Sequence, residues 1–203
     1  AKTWSKVLST NYVYDIEFMP NNPLVAYAGV SGGKFYKSTN SGVSWTLKYD
    51  NPNPLADRVG IAVTPDNSSE VFMMIGNMND VNQVDSSYTF NGIYYSDSTG
   101  ETGSWVRRAS GLPNVFIGDG SKLIGRQQRY DHSLAVSPLD SKKLVAGGIS
   151  IWRSDDGGSN LIYINTDVQN YHVDIHELVY APSGNILYAA TDGGVYKSLN
   201  NGD

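Results

Sequence analysis

Short apolar runs recur along the chain, each closed by proline, glycine, alanine or serine, and they fall into sets. The first comprises Val13 to Pro20, Gly60 to Pro65, Ser133 to Pro138 and Glu177 to Pro182, each ending on proline. A second set lies at Val25 to Gly29, Val71 to Gly76, Leu144 to Gly148 and Ile186 to Ala190. A third runs through Phe35 to Ser38, Ile93 to Ser96, Ile151 to Ser154 and Val195 to Ser198, and always stops at serine. Runs this short, bounded by turn residues, predict strands rather than helices. With the segments that begin near Trp45 and Trp105, each round supplies four strands joined by short turns, which predicts a four-stranded antiparallel meander.

The turn after each third run repeats as well. Ser38-Thr39-Asn40-Ser41-Gly42-Val43-Ser44-Trp45 and Ser154-Asp155-Asp156-Gly157-Gly158-Ser159-Asn160-Leu161 are two copies of one turn. A third, two residues longer, runs from Ser96 through Gly100 to Trp105, and a fourth starts at Ser198, Asn200 and Gly202. Trp4 fits the closing tryptophan of an earlier copy. The residue types suit a hairpin: an Asp or Asn side chain bonds backbone amides, Gly supplies a positive φ, and Trp covers the sheet with its ring. Repeats of about 40 to 50 residues, each one meander, indicate an all-β propeller with four blades' worth of chain. The blades fall at approximately 1–50, 51–110, 111–166 and 167–203.

Composition narrows the classes. The 203 residues are 40% hydrophobic and 17% charged, enough apolar material for a core and too little charge for disorder. A net charge of −5 with scattered Lys and Arg argues against nucleic acid. No run approaches the roughly 18 apolar residues that cross a bilayer. There is no cysteine, so disulfides and thiol chemistry are excluded. Ala1-Lys2-Thr3-Trp4 is not a signal peptide.

The turns and strands resemble the Asp-box, or BNR, repeats of sialidases, xyloglucanases and sortilin-type receptors, across essentially the whole chain. Tyr130 to Pro138 with Gly147 to Ser154, and His172 to His176 with Asp192 to Ser198, are most similar to large exported Asp-box proteins of Bacteroidota-like bacteria. That resemblance implies an extracellular or cell-surface bacterial protein. Such proteins often carry a type IX sorting tail, which these residues do not include. The chain starts and stops at one phase of the repeat, which fits a closed four-bladed ring or an arc of a larger propeller, and the arc is the expectation. Further blades or domains of the same full-length chain are then implied partners.

In a propeller the first strand of each blade lines the channel, and the residues entering it open on one face; the Asp boxes lie on the other and are structural. Six positions before each closing proline stand Tyr14, Val59, His132 and His176, near Tyr12, Asp15, Asp57, Arg58, Arg126, Arg129, Tyr130, Asp131, Tyr171, His172 and Asp174. On an extended strand His172, Asp174 and His176 share a face, a ligand set for Zn²⁺ that Asp192 can join. The 77–91 insertion, with Asp80, Asn82, Asp85, Ser86 and Ser87, offers oxygens for Ca²⁺, though its spacing matches no calcium loop. A solvated loop is the simpler reading of that segment. Rings, carboxylates and guanidinium groups together suit a glycan, while many of the fourteen tyrosines are ordinary strand residues.

Three functions are compatible with these residues. The first is non-catalytic recognition of a glycan or a cell-surface protein on the channel face. The second is a sialidase-like or xyloglucanase-like glycoside hydrolase. Against it, the Arg-Ile-Pro signature of sialidases is missing, and of the two acids a xyloglucanase needs only Asp192, in Ala190-Thr191-Asp192-Gly193-Gly194, stands in the expected context. The third is a structural adhesin or stalk.

Overall fold

A computed structural model describes residues 3–78, 89–121, 127–164 and 171–202. Within them lie fifteen strands and no helix, so no helix is long and apolar enough to cross a membrane. The first sheet is β1 (Val13–Phe18), β2 (Ala26–Val30), β3 (Lys34–Ser38) and β4 (Thr46–Asp50). The second is β5 (Ala56–Val63), β6 (Val71–Asn77), β7 (Phe90–Ser96) and β8 (Val106–Ala109). The third is β9 (Ser133–Ser137), β10 (Asp140–Gly147), β11 (Ile151–Ser154) and β12 (Ile162–Tyr163). The fourth has three strands, β13 (Ile175–Tyr180), β14 (Leu187–Thr191) and β15 (Gly194–Ser198). Every sheet is an antiparallel meander with its strands in chain order.

The period of two along a strand explains the stacking. In β6, Val71, Met73 and Ile75 turn toward the first sheet and, with Val59 and Ile61 of the neighbouring β5, cluster with Tyr27 and Phe35 of that sheet. Phe72 and Met74 turn the other way, onto Leu134, Val136, Leu144 and Trp152 of the third sheet. A third cluster, Val145 and Ile151 with Ile175, Leu178 and Leu187, joins the third sheet to the fourth. Side chains of this size contribute roughly 1.5–3 kcal/mol each when fully buried. The inner strands pack in sequence, β1 on β5, β5 on β9 and β9 on β13, and together they line one cavity of about 390 Å³. The sheets are therefore propeller blades forming an arc around a channel.

The first two strands of each middle blade are largely buried on both faces, whereas those of the outer two blades are not. Ile16, Phe18 and Leu47 of the first sheet and Val179, Tyr188 and Val195 of the fourth are exposed, as an arc requires. Trp4 departs from the repeat. Its place in the pattern predicts packing at a blade edge, like Trp45 and Trp105, but it is 99% exposed, because among the described residues no third strand runs beside it to form a sheet.

The four turns share one hydrogen-bond geometry. Ser38 Oγ accepts from the Gly42 amide at 2.9 Å, Ser96 Oγ from Gly100 at 3.1 Å, Ser154 Oγ from Gly158 at 2.8 Å and Ser198 Oγ from Gly202 at 2.8 Å. Asn40, Asp156 and Asn200 each accept from the serine hydroxyl at 2.7–2.9 Å. In the degenerate copy that hydroxyl turns instead to Ser104, 2.6 Å away. Burial pushes the Asp156 carboxyl up, but hydrogen bonds from Asn160, Ser154 and Ser159 outweigh it and hold it at about 2.

Candidate functional site

Three of the four inner strands carry a β-bulge where they enter the channel. The ladder slips between Val13 and Asp15, between Ala56 and Val59, and between Ile175 and Glu177. Bulges re-aim side chains. The residues inside these three are Tyr14, Asp57 with Arg58, and His176, all of them sequence-derived candidates.

Around the first two bulges the side chains converge. Arg129 Nε lies 2.6 Å from Asp57 Oδ2, an ion pair whose carboxylate is buried and whose guanidinium is half exposed. The Tyr14 hydroxyl donates to Asp57 at 3.4 Å, and burial followed by the Asp57 charge raises the phenol above its ordinary range. Arg58 donates to the carbonyls of Arg129, Tyr130 and His132 and stands over the Tyr14 ring, 5.6 Å from its centroid. Tyr12 stacks on Tyr14 at 6.2 Å between centroids. Tyr12 and Tyr130 are each 72% exposed.

A second group sits at the third bulge. His176 Nε2 is 2.6 Å from Asp192 Oδ1, and His176 Nδ1 is 3.7 Å from Asp131 Oδ1. The Asp131 side chain is only 2% exposed, and among the described residues no donor reaches its Oδ2. Burial first, then the nearby Asp174 charge, pushes the Asp131 carboxyl up to about 6. Asp174 adopts φ 64° and accepts the Asp192 amide through its carbonyl at 3.3 Å.

The histidine and metal expectations need correcting. His132 is buried, with Nδ1 3.2 Å from the Gln128 carbonyl and Nε2 3.0 Å from that of Met74, and its ring stacks on Phe116 at 5.2 Å. Burial, then the Arg58 charge, pushes it down to about 3, so the ring is neutral and belongs to the wall. His172 Nδ1 meets its neighbouring carbonyl, Val173 O, at 2.9 Å, and the ring covers Gly193. His172, Asp174 and His176 do not form a ligand set: among the described residues no three such side chains are placed to hold a metal. The physical reason is that β13 begins only at Ile175, and the left-handed Asp174 breaks the alternation that would have aligned them. Arg126 and residues 79–88 of the insertion lie outside the described residues.

Two further acids belong to the channel. Glu17 on β1 and Glu177 on β13 line the cavity with Asp15, Arg58 and His132, and counting from the closing prolines finds neither. Burial, then the charges of Asp15 and Glu177, raises Glu17 to about 7. A signal exists for Glu17, because strand alternation places it on the face of Asp15. Asp15 itself ties β1 to β5 by accepting the Ile61 amide at 2.6 Å.

This geometry defines a β-propeller with a polar and aromatic channel mouth. No family model and no curated protein matches the chain. Solved structures do. It is similar to the GH74 xyloglucanase from Xanthomonas campestris, at 18% identity and a TM-score of 0.68, over 97% of this chain and 30% of that one. A GH74 enzyme from Niastella koreensis is similar at 20% identity and 0.66, over 97% and 29%. YCF48 from Cyanidioschyzon merolae is similar at 14% identity and 0.53, over 92% and 55%. The chain spans less than a third of these two GH74 structures, and at these identities the likeness speaks for the fold alone.

Proposed function

We propose that this chain is a non-catalytic recognition propeller of an exported bacterial protein, binding a glycan at the mouth of its channel. The carrying observation is the pair of exposed rings, Tyr12 and Tyr130, set around the Arg129–Asp57 ion pair. Sugars present C–H faces that pack on aromatic rings and hydroxyls that need charged or amide partners, and this mouth offers both. The Asp-box resemblance and the GH74 neighbours support a carbohydrate as the ligand. Extracellular or cell-surface placement rests on the same resemblance.

A hydrolase is the second reading. An acid tuned to about 6 is what a general acid requires, and Asp131 has that value. Its carboxyl is buried, however, and its contact toward the mouth is with His176, which in turn meets the exposed Asp192. That arrangement favours binding over bond cleavage.

Affinity electrophoresis against a panel of soluble β-glucans that includes xyloglucan, with a parallel assay for released reducing ends, tests both readings. Retardation without release is expected, with Tyr12→Ala and Tyr130→Ala each weakening binding about tenfold or more, as loss of an aromatic ring covered by its ligand does. Migration unaffected by every glucan, or retardation indifferent to both substitutions, would sink the proposal. Reducing ends that disappear in Asp192→Asn would establish the hydrolase instead.

A further inference from the structure

The two arginines of the channel mouth are used differently. Arg58 donates to the carbonyls of Arg129, Tyr130 and His132, and the acids Asp15, Glu177 and Asp131 act on its charge from the channel. Arg129 is held through one nitrogen: its Nε meets Asp57, and among the described residues its two terminal nitrogens meet no acceptor. Half of its side chain is exposed, while the Asp57 carboxylate is buried and also receives the Tyr14 hydroxyl. The guanidinium is therefore fixed by a buried partner and keeps donors toward solvent.

The backbone that carries Arg129 is fixed as well. Arg58, from the β5 bulge, grips the carbonyls of Arg129 and Tyr130, so the exposed Tyr130 ring and the Arg129 fork stand on one clamped segment. Arg129 also interacts electrostatically with Tyr14 and Tyr12, the stacked pair of the first blade. A planar guanidinium offers paired N–H donors that match the two oxygens of a carboxylate, whereas a hydroxyl takes one of them. A donor set ordered before its ligand arrives loses little entropy on binding.

We propose that Arg129 is a specificity-determining residue for a carboxylated glycan: the carboxylate of a hexuronate unit takes its terminal nitrogens, and the sugar rings pack on Tyr12 and Tyr130. This rests on the glycan reading above and narrows it to acidic chains. The carboxyls of Asp131, Asp174 and Asp192, gathered at the third bulge, repel an anion there and leave Arg129 as its place. The chain as a whole carries a net charge of −5, so a polyanion gains nothing from general attraction and its preference has to come from this contact.

Calorimetric titration with two matched pairs of tetrasaccharides tests this: β-1,4-glucuronan against cellotetraose, and α-1,4-galacturonan against its carboxyl-reduced galactan. Within each pair only one group per sugar changes, from carboxylate to hydroxymethyl. At neutral pH and about 0.1 M salt, at least one acidic member is expected to bind about tenfold or more tightly than its neutral partner. Arg129→Lys, which keeps a charge for Asp57 but lacks the planar fork, should shrink that preference to about threefold or less. The double variant Asp57→Asn with Arg129→Met, which removes the ion pair as a unit, should abolish it, with thermal melting to show that both variants are folded. Equal affinity within both pairs, or a preference that survives the double variant, overturns the inference while the recognition reading stands. Failure of all four sugars to bind overturns it as well, and retardation by the β-glucan panel then decides the recognition reading separately.

Discussion

At the scale of single residues the channel mouth stores unfavourable charge. A carboxyl that titrates at about 6 in the folded chain and near 3.9 when unfolded binds its proton more tightly when folded. Its contribution to stability is therefore complete below about pH 4 and is lost as pH rises through about 6. Glu17, raised to about 7, adds to the same trend. The protein should be more stable at pH 5 than at pH 7.5, and Asp131→Asn should remove about 1–3 kcal/mol of that difference, as read from denaturant unfolding at the two values. An unchanged pH dependence in Asp131→Asn would show that Asp131 is solvated. His132 lies on the other side of this contrast: neutral and enclosed, it fills the space left by Gly60, where an added Cβ would approach its Cδ2 to 3.0 Å.

At the scale of elements, turns and bulges divide the labour. The serine turns build the blades, and their weight depends on burial. Ser154 is fully buried and satisfies the Asp156 and Gly158 amides, so Ser154→Ala should cost about 1–3 kcal/mol. Ser198 makes the same bonds at a more exposed site, so Ser198→Ala should cost less. Equal losses in thermal or chemical denaturation would contradict this ordering. The bulges build the mouth instead. Strand positions are legible in the sequence because apolar runs and turn residues alternate along it. A bulge leaves no such mark, since one extra residue looks the same in a strand and in a ladder slip.

At the scale of the whole molecule, each blade covers the one before it, and the two outer blades keep an apolar face toward solvent. Ile16 and Phe18 on β1 and Val179 and Val195 in the fourth sheet are all exposed. Exposed apolar patches drive association. Concentration-dependent self-association is expected in sedimentation velocity, and Phe18→Lys combined with Val195→Lys should reduce it. Identical sedimentation of the two proteins across concentrations would refute the link.

The sequence by itself determined the all-β class, the strand order within each blade and the four turns, because these depend on local periodicity and on residues such as Ser154, Asp156 and Gly158 that act within one hairpin. It also placed Tyr14, Arg58 and Asp131 near a common opening, by counting from the closing prolines. Only the tertiary structure decided which of those side chains meet. Arg129 finds Asp57, His176 bridges Asp131 and Asp192, His132 turns inward and His172 lies apart. These pairings depend on bulges, on the left-handed Asp174 and on how neighbouring blades stack, none of which is encoded in the spacing of residues along one strand.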